Sequence, residues 1–368
     1  MSLLYSPATL GPLKLQNHLV MSPMTRSRAP GNVPNELMAQ YYGQRSSAGL
    51  IITEGTSPSP NGIGYVRIPG IYSADQVAGW KLVTEAVHAK GAKIFIQFMH
   101  CGRVAHPDNV PPGARVVAPS AIAAKGQMYT DGGMKPLPTP EAMTETDLKT
   151  ALGEYVTAAK NAIAAGFDGV ELHGANGYLL EQFIRPTSNQ RTDRYGGSIE
   201  NRARFVLEVV DATIAAIGKD KVGIRVSPYG TFNDMPLYPE MEQDYAYLAE
   251  KLNAAGLAYV HLLDHSAGGA PPVPDSIKAT FRKVFKRTLI LAGGYVAAAA
   301  TTLFAALLMT GFYMAWYFAF LSGATVAAWL AIAGPERARI GFQRLHGMGE
   351  ALDPSDVDAR SRRNLLDR

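Results

Sequence analysis

Short apolar runs alternate with amphipathic segments along most of this chain, and that alternation restricts it to folds built on a parallel sheet. The runs fall at 19–24, 50–54, 93–98, 169–173, 222–227, 259–264 and 288–292, about seven against the eight strands of a closed barrel. Between them 75–90, 145–165 and 198–217 read as helices. In the first of these, Val77, Trp80, Val83 and Val87 recur every three or four residues and make one apolar stripe. Each run also ends in polar or glycine residues: Pro23-Met24-Thr25, Glu54-Gly55, Gln97, His173, Arg225, Asp264-His265 and Gly293-Gly294. A barrel gathers such ends on one face, where active sites assemble. A doubly wound sheet would instead carry Gly-x-Gly-x-x-Gly after its first strand, and none stands there. The Pro-, Gly- and Ala-rich stretch 107–140 is too long for an ordinary connection and is expected to form a lid or small hairpin over the mouth.

With 368 residues the chain suits one large α/β barrel or two ordinary domains. Hydrophobic residues at 47% and charged residues at 18% supply a core and exclude disorder. A net charge of +4, with no basic cluster interleaved with aromatics before residue 280, argues against nucleic-acid binding. Cys101 is the single cysteine, so neither an internal disulfide nor a four-cysteine iron–sulfur cluster can form. Residues 1–15 lack a basic segment followed by an apolar run, and a cytoplasmic location is expected.

The most chemical stretch is 173–183, HGANGYLLEQF, which follows the strand-like FDGVEL of 167–172. His173 and Asn176 can converge there on one ligand oxygen. A following helix would carry Tyr178 to the rim, where a phenol with pKa about 10 can give up a proton while neutral at rest. Together these residues would polarise a carbonyl and protonate a neighbouring carbon. The other reading is a His and an Asn that satisfy loop backbone, with Tyr178 half-buried on a helix. Arg225 lies inside the apolar run VGIRVSP, where an unpaired cation would cost several kcal/mol, so it needs an anionic partner.

HGANGYLLEQF followed by RTDRYGGSIENRARF at 191–205 resembles the Old Yellow Enzyme family of flavin-dependent ene-reductases, over residues 3–295. The resemblance implies a (β/α)8 TIM barrel of the FMN-only type, NADPH or NADH as transient hydride donor, and a small electrophilic alkene as substrate. It implies that Pro23, Met24 and Thr25 back the flavin ring, with the Thr25 hydroxyl tuning its potential. Gly55 would allow close approach to the ring, Gln97 and Arg225 would flank its pyrimidine edge, and Gly293 and Gly294 would line the cofactor site. His173 and Asn176 would hold the substrate carbonyl or nitro oxygen while Tyr178 protonates the α-carbon. Tyr65 matches a pocket-wall position, though an exposed loop tyrosine is the competing reading. Met99 stands where the family usually carries an aromatic residue, which implies a wider, less selective pocket.

After Tyr295 the family pattern stops, and no Gly-Arg-Pro-Phe-like motif for the FMN phosphate follows. Residues 288–335 carry no charge, and 336–368 are strongly charged. The chain is therefore divided into an FMN-binding barrel at 1–295, an apolar segment at 296–335 and a charged tail at 336–368. A frameshift or fusion would explain the abrupt break. The alternatives are a membrane hairpin within 288–335, which is not favoured, and a divergent eighth βα unit. A phosphate without its arginine loses on the order of 2–3 kcal/mol, so a catalytically impaired barrel with weak FMN binding is the alternative to an active reductase.

Overall fold

The computed structural model describes residues 3–293. Gly294, the apolar segment 296–335, the tail 336–368 and any eighth βα unit lie outside the described residues.

Seven strands form one parallel sheet in chain order: β1 (Val20–Met21), β2 (Leu50–Thr56), β3 (Lys93–Phe98), β4 (Gly169–Gly174), β5 (Val222–Val226), β6 (Tyr259–Leu263) and β7 (Thr288–Ala292). The helices are α1 (Glu36–Gly43), α2 (Ala74–His88), α3 (Glu145–Ala164), α4 (Leu179–Ile184), α5 (Ile199–Arg202), α6 (Arg204–Ile217), α7 (Met241–Ala255) and α8 (Asp275–Val284). This is the order of a TIM barrel, as expected. Among the described residues β1 and β7 are the sheet edges. Between them runs a cleft of about 930 Å³, lined by Val20 and Leu50 on one side and Leu289 and Leu291 on the other.

The expected strand at 19–24 shortens to two residues, because Pro23 has no N–H for a ladder. The expected helix at 198–217 is divided at Ala203 into α5 and α6. Helix α7 was not foreseen: its buried stripe of Met241, Tyr245, Leu248 and Leu252 includes Asp244, which is satisfied by Arg202 at 2.7 Å. α2 starts with a capping box, Ser73 accepting from the Gln76 amide, and buries Trp80, Val83 and Val87 as the sequence pattern requires.

Period-two alternation divides each strand between two cores. Outward residues such as Ile51, Ile94, Ile96, Val170, Leu172 and Ile224 pack with Trp80, Tyr155, Phe205 and Leu248 of the helices. Inward residues Leu50, Ile52, Phe95, Tyr259 and Ile290 cluster with Leu10 and Leu15. The latter two belong to an N-terminal hairpin, Ala8–Leu10 against Leu13–Leu15, that packs where the strands begin.

The 107–140 excursion holds a hairpin, Gln127–Thr130 against Gly133–Pro136. Its Met128 is buried in one cluster with Met99, Ile63 and Tyr178. Asn109 Nδ2 donates to the Gly64 and Tyr129 carbonyls at 2.9 and 2.8 Å, and Arg67 pairs with Asp131. These contacts tie the hairpin to the β2–α2 loop beside Tyr65.

Candidate active site

A bulge on β2 sets the first polar position of the site. Register runs Ile52 to Phe95 and then Gly55 to Gln97, so one extra β2 residue is absorbed and Gly55 returns to the Gln97 rank. The same rank continues through Gln97 opposite Glu171. One step further along the strands, His173 lies opposite Arg225 and Arg225 opposite His261. Parallel pairing therefore stacks Gln97 and Glu171 beneath His173, Arg225 and His261.

Glu171 joins these ranks. Its carboxylate accepts from Gln97 Nε2 at 2.7 Å and bonds His261 Nδ1 at 2.9 Å, with all three side chains buried. Burial pushes the Glu171 pKa up, but His261, Arg225 and the Gln97 bond outweigh it and bring the carboxyl below its ordinary value. It is the negative charge that the placement of Arg225 demanded, acting without direct contact. Burial depresses the Arg225 pKa, and Glu171 is first among the groups that oppose this. His261 is held below its ordinary value by burial, against the pull of Glu171. Sequence reading passed over both residues, because a Glu and a His inside apolar runs carry no local signal of their partners.

β4 ends at Gly174 and the chain turns through Asn176 (φ 60°) and Gly177 (φ 73°). A Cβ on Gly177 would lie 2.8 Å from Asn233 Cβ, so only glycine fits. Tyr178 is the N-cap of α4 and not a residue within a helix. The expected helical placement fails because Gly177 forces a tight turn first. The Tyr178 ring meets the His173 ring edge-on at 4.8 Å, and its hydroxyl lies 2.9 Å from that of Tyr65. Tyr65 is thus half-buried beside Tyr178, not an exposed loop tyrosine. Burial and the neighbouring Tyr65 drive the Tyr178 pKa well above 10, so the phenol stays protonated. Burial, then Arg225, His261 and His265, drive His173 well below its ordinary value, so its imidazole is neutral.

Asn176 is held on three sides. Its N–H donates to Ser227 Oγ at 2.9 Å, its carbonyl accepts from Asn233 Nδ2 at 2.8 Å, and its Oδ1 lies 2.7 Å from His265 Nε2. With Oδ1 engaged, the Asn176 amide N–H groups remain for a ligand. His265 went unassigned from sequence, and its place at the end of β6 was the available signal. The turn itself is anchored by Glu181, which accepts from the Gly177 N–H at 2.7 Å, from Tyr245 at 2.9 Å and from the buried Arg185 at 2.8 Å.

Pro23 and Met24 are half-buried and Thr25 is exposed, on the segment that leaves β1. The next residue, Arg26, donates its N–H to Glu54 at 2.9 Å. Burial pushes the Glu54 carboxyl up to about 7. Gly55 is a close-approach glycine, but what approaches it is Met99: a Cβ there would lie 2.5 Å from Met99 Sδ. The unbranched thioether folds into the vacant Cβ space on that side of the strand. Gly293 has φ 73°, and a Cβ there would overlap the Asp264 carbonyl oxygen at 1.8 Å.

These residues suit a flavin ring. Arg225 Nε and His173 Nδ1 are buried without partners, and Gln97 keeps an acceptor and a second N–H beyond its Glu171 bond. Two unmet buried groups beside a fixed amide fit an aromatic ring with a donor–acceptor edge and a polar ligand above it. Among the described residues no cluster of His, Cys, Asp or Glu could hold a metal. Cys101 is buried beside Gly64, and burial raises its thiol pKa far above the ordinary value, so it is not a nucleophile.

Barrel and site together define a flavin-dependent oxidoreductase. Residues 3–306 match the NADH:flavin oxidoreductase / NADH oxidase family, and the chain belongs to it. It is 45% identical over 267 residues to a probable flavin mononucleotide-dependent alkene reductase of Leishmania infantum, covering 70% of this chain and 72% of that protein. It is 41% identical over 301 residues to 12-oxophytodienoate reductase 1 of Oryza sativa subsp. japonica, covering 79% and 77%. Among solved structures, morphinone reductase superposes with a TM-score of 0.77 at 43% identity, covering 84% of each chain. The chain is an FMN-dependent ene-reductase that takes hydride from a nicotinamide.

Proposed function

We propose that this chain reduces small electrophilic alkenes, with Tyr178 as proton donor and His173 and Asn176 as the grip on the substrate oxygen. The observation that carries this reading is the neutral trio itself. A buried uncharged imidazole with an unmet nitrogen stands 4.8 Å from the ring of a phenol whose proton is held well above pH 10. Neutral donors tighten as the bound oxygen gains enolate charge, which favours the transition state over the ground state. The Asn176 amide, turned by His265, adds the second donor. Tyr178 then passes its hydroxyl proton to the α-carbon.

Gln97 and Arg225 would hold the pyrimidine edge of FMN, with Pro23, Met24 and Thr25 along one side of the ring and Gly293 near its mouth. Bound FMN supplies hydride for the β-carbon after accepting it from NADPH or NADH. Met128 and Tyr65 wall the entrance and keep water from the Tyr178 hydroxyl. Among the described residues no helix is long and apolar enough to cross a membrane, and a cytoplasmic setting matches an inert lone cysteine.

The experiment is Tyr178→Phe in flavin-loaded protein. Turnover of a cyclic enone should fall about 10²–10³-fold, while bleaching of the flavin by NADPH or NADH stays within about twofold. Equal loss in both half-reactions would refute the assignment.

A further inference from the structure

The hydrogen-bonded pair of Glu171 and His261 has no part in gripping or protonating a substrate, yet it lies fully buried in the barrel. Both side chains are 0% exposed. Gln97, Tyr259 and Arg225 surround them. A buried carboxylate costs several kcal/mol unless its lone pairs are met, so a Glu retained here answers to a specific geometry.

That geometry can be read from hydrogen-bond capacity alone. An ionised carboxylate only accepts. Gln97 must therefore turn its NH2 toward Glu171 Oε1, because the alternative amide orientation would set oxygen against oxygen at 2.7 Å. His261 must likewise carry its proton on Nδ1, the nitrogen 2.9 Å from Oε2, which leaves Nε2 as the bare buried lone pair. Glu171 thus fixes which atoms of the Gln97 amide remain free, namely Oε1 and one N–H. It also sets a negative charge near Arg225, with which it makes no ion pair within 4.0 Å.

We infer that Glu171, itself held by His261, is a positioning residue for the flavin. It locks the Gln97 amide in the orientation that reads the ring edge, and its charge partly offsets Arg225 and so restrains the flavin potential. This rests on the reading that Gln97 and Arg225 hold the FMN ring. His261 anchors the carboxylate from the far side, so the unit spans β3, β4 and β6 and is as rigid as the barrel.

The test combines FMN affinity and potential in the full-length protein. Glu171→Gln can present either end of its amide to Gln97 and carries no charge. It should weaken binding of oxidised FMN about tenfold, measured by quenching of flavin fluorescence. Added to Gln97→Ala it should cost less than about twofold more, since its effect on oxidised flavin passes through Gln97. Loss of the negative charge should favour the reduced, anionic flavin tenfold over the oxidised form, a rise of about 30 mV in the two-electron midpoint. If Glu171→Gln does not fold, His261 carries the test. His261→Phe removes the anchoring donor and should weaken FMN, whereas His261→Asn keeps a donor at the Nδ1 position and should restore affinity to within about threefold. Additive losses with Gln97→Ala, an unmoved midpoint, or His261→Phe and His261→Asn alike would overturn the inference while leaving the flavin reading intact. An unchanged FMN affinity in Gln97→Ala would overturn both.

Discussion

Replacing Glu181 by Gln tests whether the catalytic turn is held by one buried charge. Glu181 is 1% exposed and Arg185 is fully buried. The guanidinium makes two bonds to Glu181 Oε1, at 3.1 and 2.8 Å, and two to the Ser227 and Gly230 carbonyls at 3.2 Å. Neutralising Glu181 leaves a desolvated cation with carbonyl partners alone, a change that costs about 3–5 kcal/mol. For a domain of this size that corresponds to a fall in Tm on the order of 10 °C, which circular dichroism melting of the apoprotein would read. The same substitution weakens the acceptor of the Gly177 N–H, so enone turnover should fall as well. Arg185→Met removes the cation, and in the double variant at least half of the lost stability should return, because nothing charged is then stranded. A drop of less than about 3 °C for Glu181→Gln, or simple addition in the double variant, would refute the reasoning.

Two further expectations concern the β2 bulge. The Glu54 carboxyl, pushed up to about 7 by burial, binds its proton more tightly folded than unfolded. Its contribution is therefore present below about pH 4.5 and is lost as pH rises through about 7, on the order of 3 kcal/mol in all. Glu54→Gln should then be more stable than the parent at pH 8 and equal to it below about pH 4.5, and a urea midpoint gap that does not shrink on acidification would contradict this. Met99→Trp cannot enter the Gly55 niche, where a Cβ would already lie 2.5 Å from Met99 Sδ. The indole must turn toward Tyr178 and shift preference from bulky to small enones, and an unchanged ratio of kcat/KM would remove Met99 from the pocket.

The strand periods and their polar ends were legible because strands β2 to β6 are buried on both faces and read as short apolar runs. β7, at Thr288–Ala292, matches its expected bounds. His173 and Tyr178 were legible through one contiguous stretch, and the structure brings them together. Their supports were not: Asn176 meets His265 across 89 positions and Glu171 meets His261 across 90. Pairs at such separation share no local pattern, and only the register of β4, β5 and β6 reveals them. The placement of Tyr178 ahead of α4 was missed for the opposite reason, since Asn-Gly before an apolar run signals a turn and the turn consumed the first helical position.

The sheet has two margins among the described residues, and β7 presents one row of amide and carbonyl groups that no neighbouring strand takes up. Such a row is a template for another copy of itself. A fragment cut at Gly293 would be apt to associate margin to margin, with Leu289 and Leu291 of one copy against the cleft of the next. Its refolding yield would then fall with protein concentration, and solubility, more than catalysis, would govern what can be made of a shortened barrel.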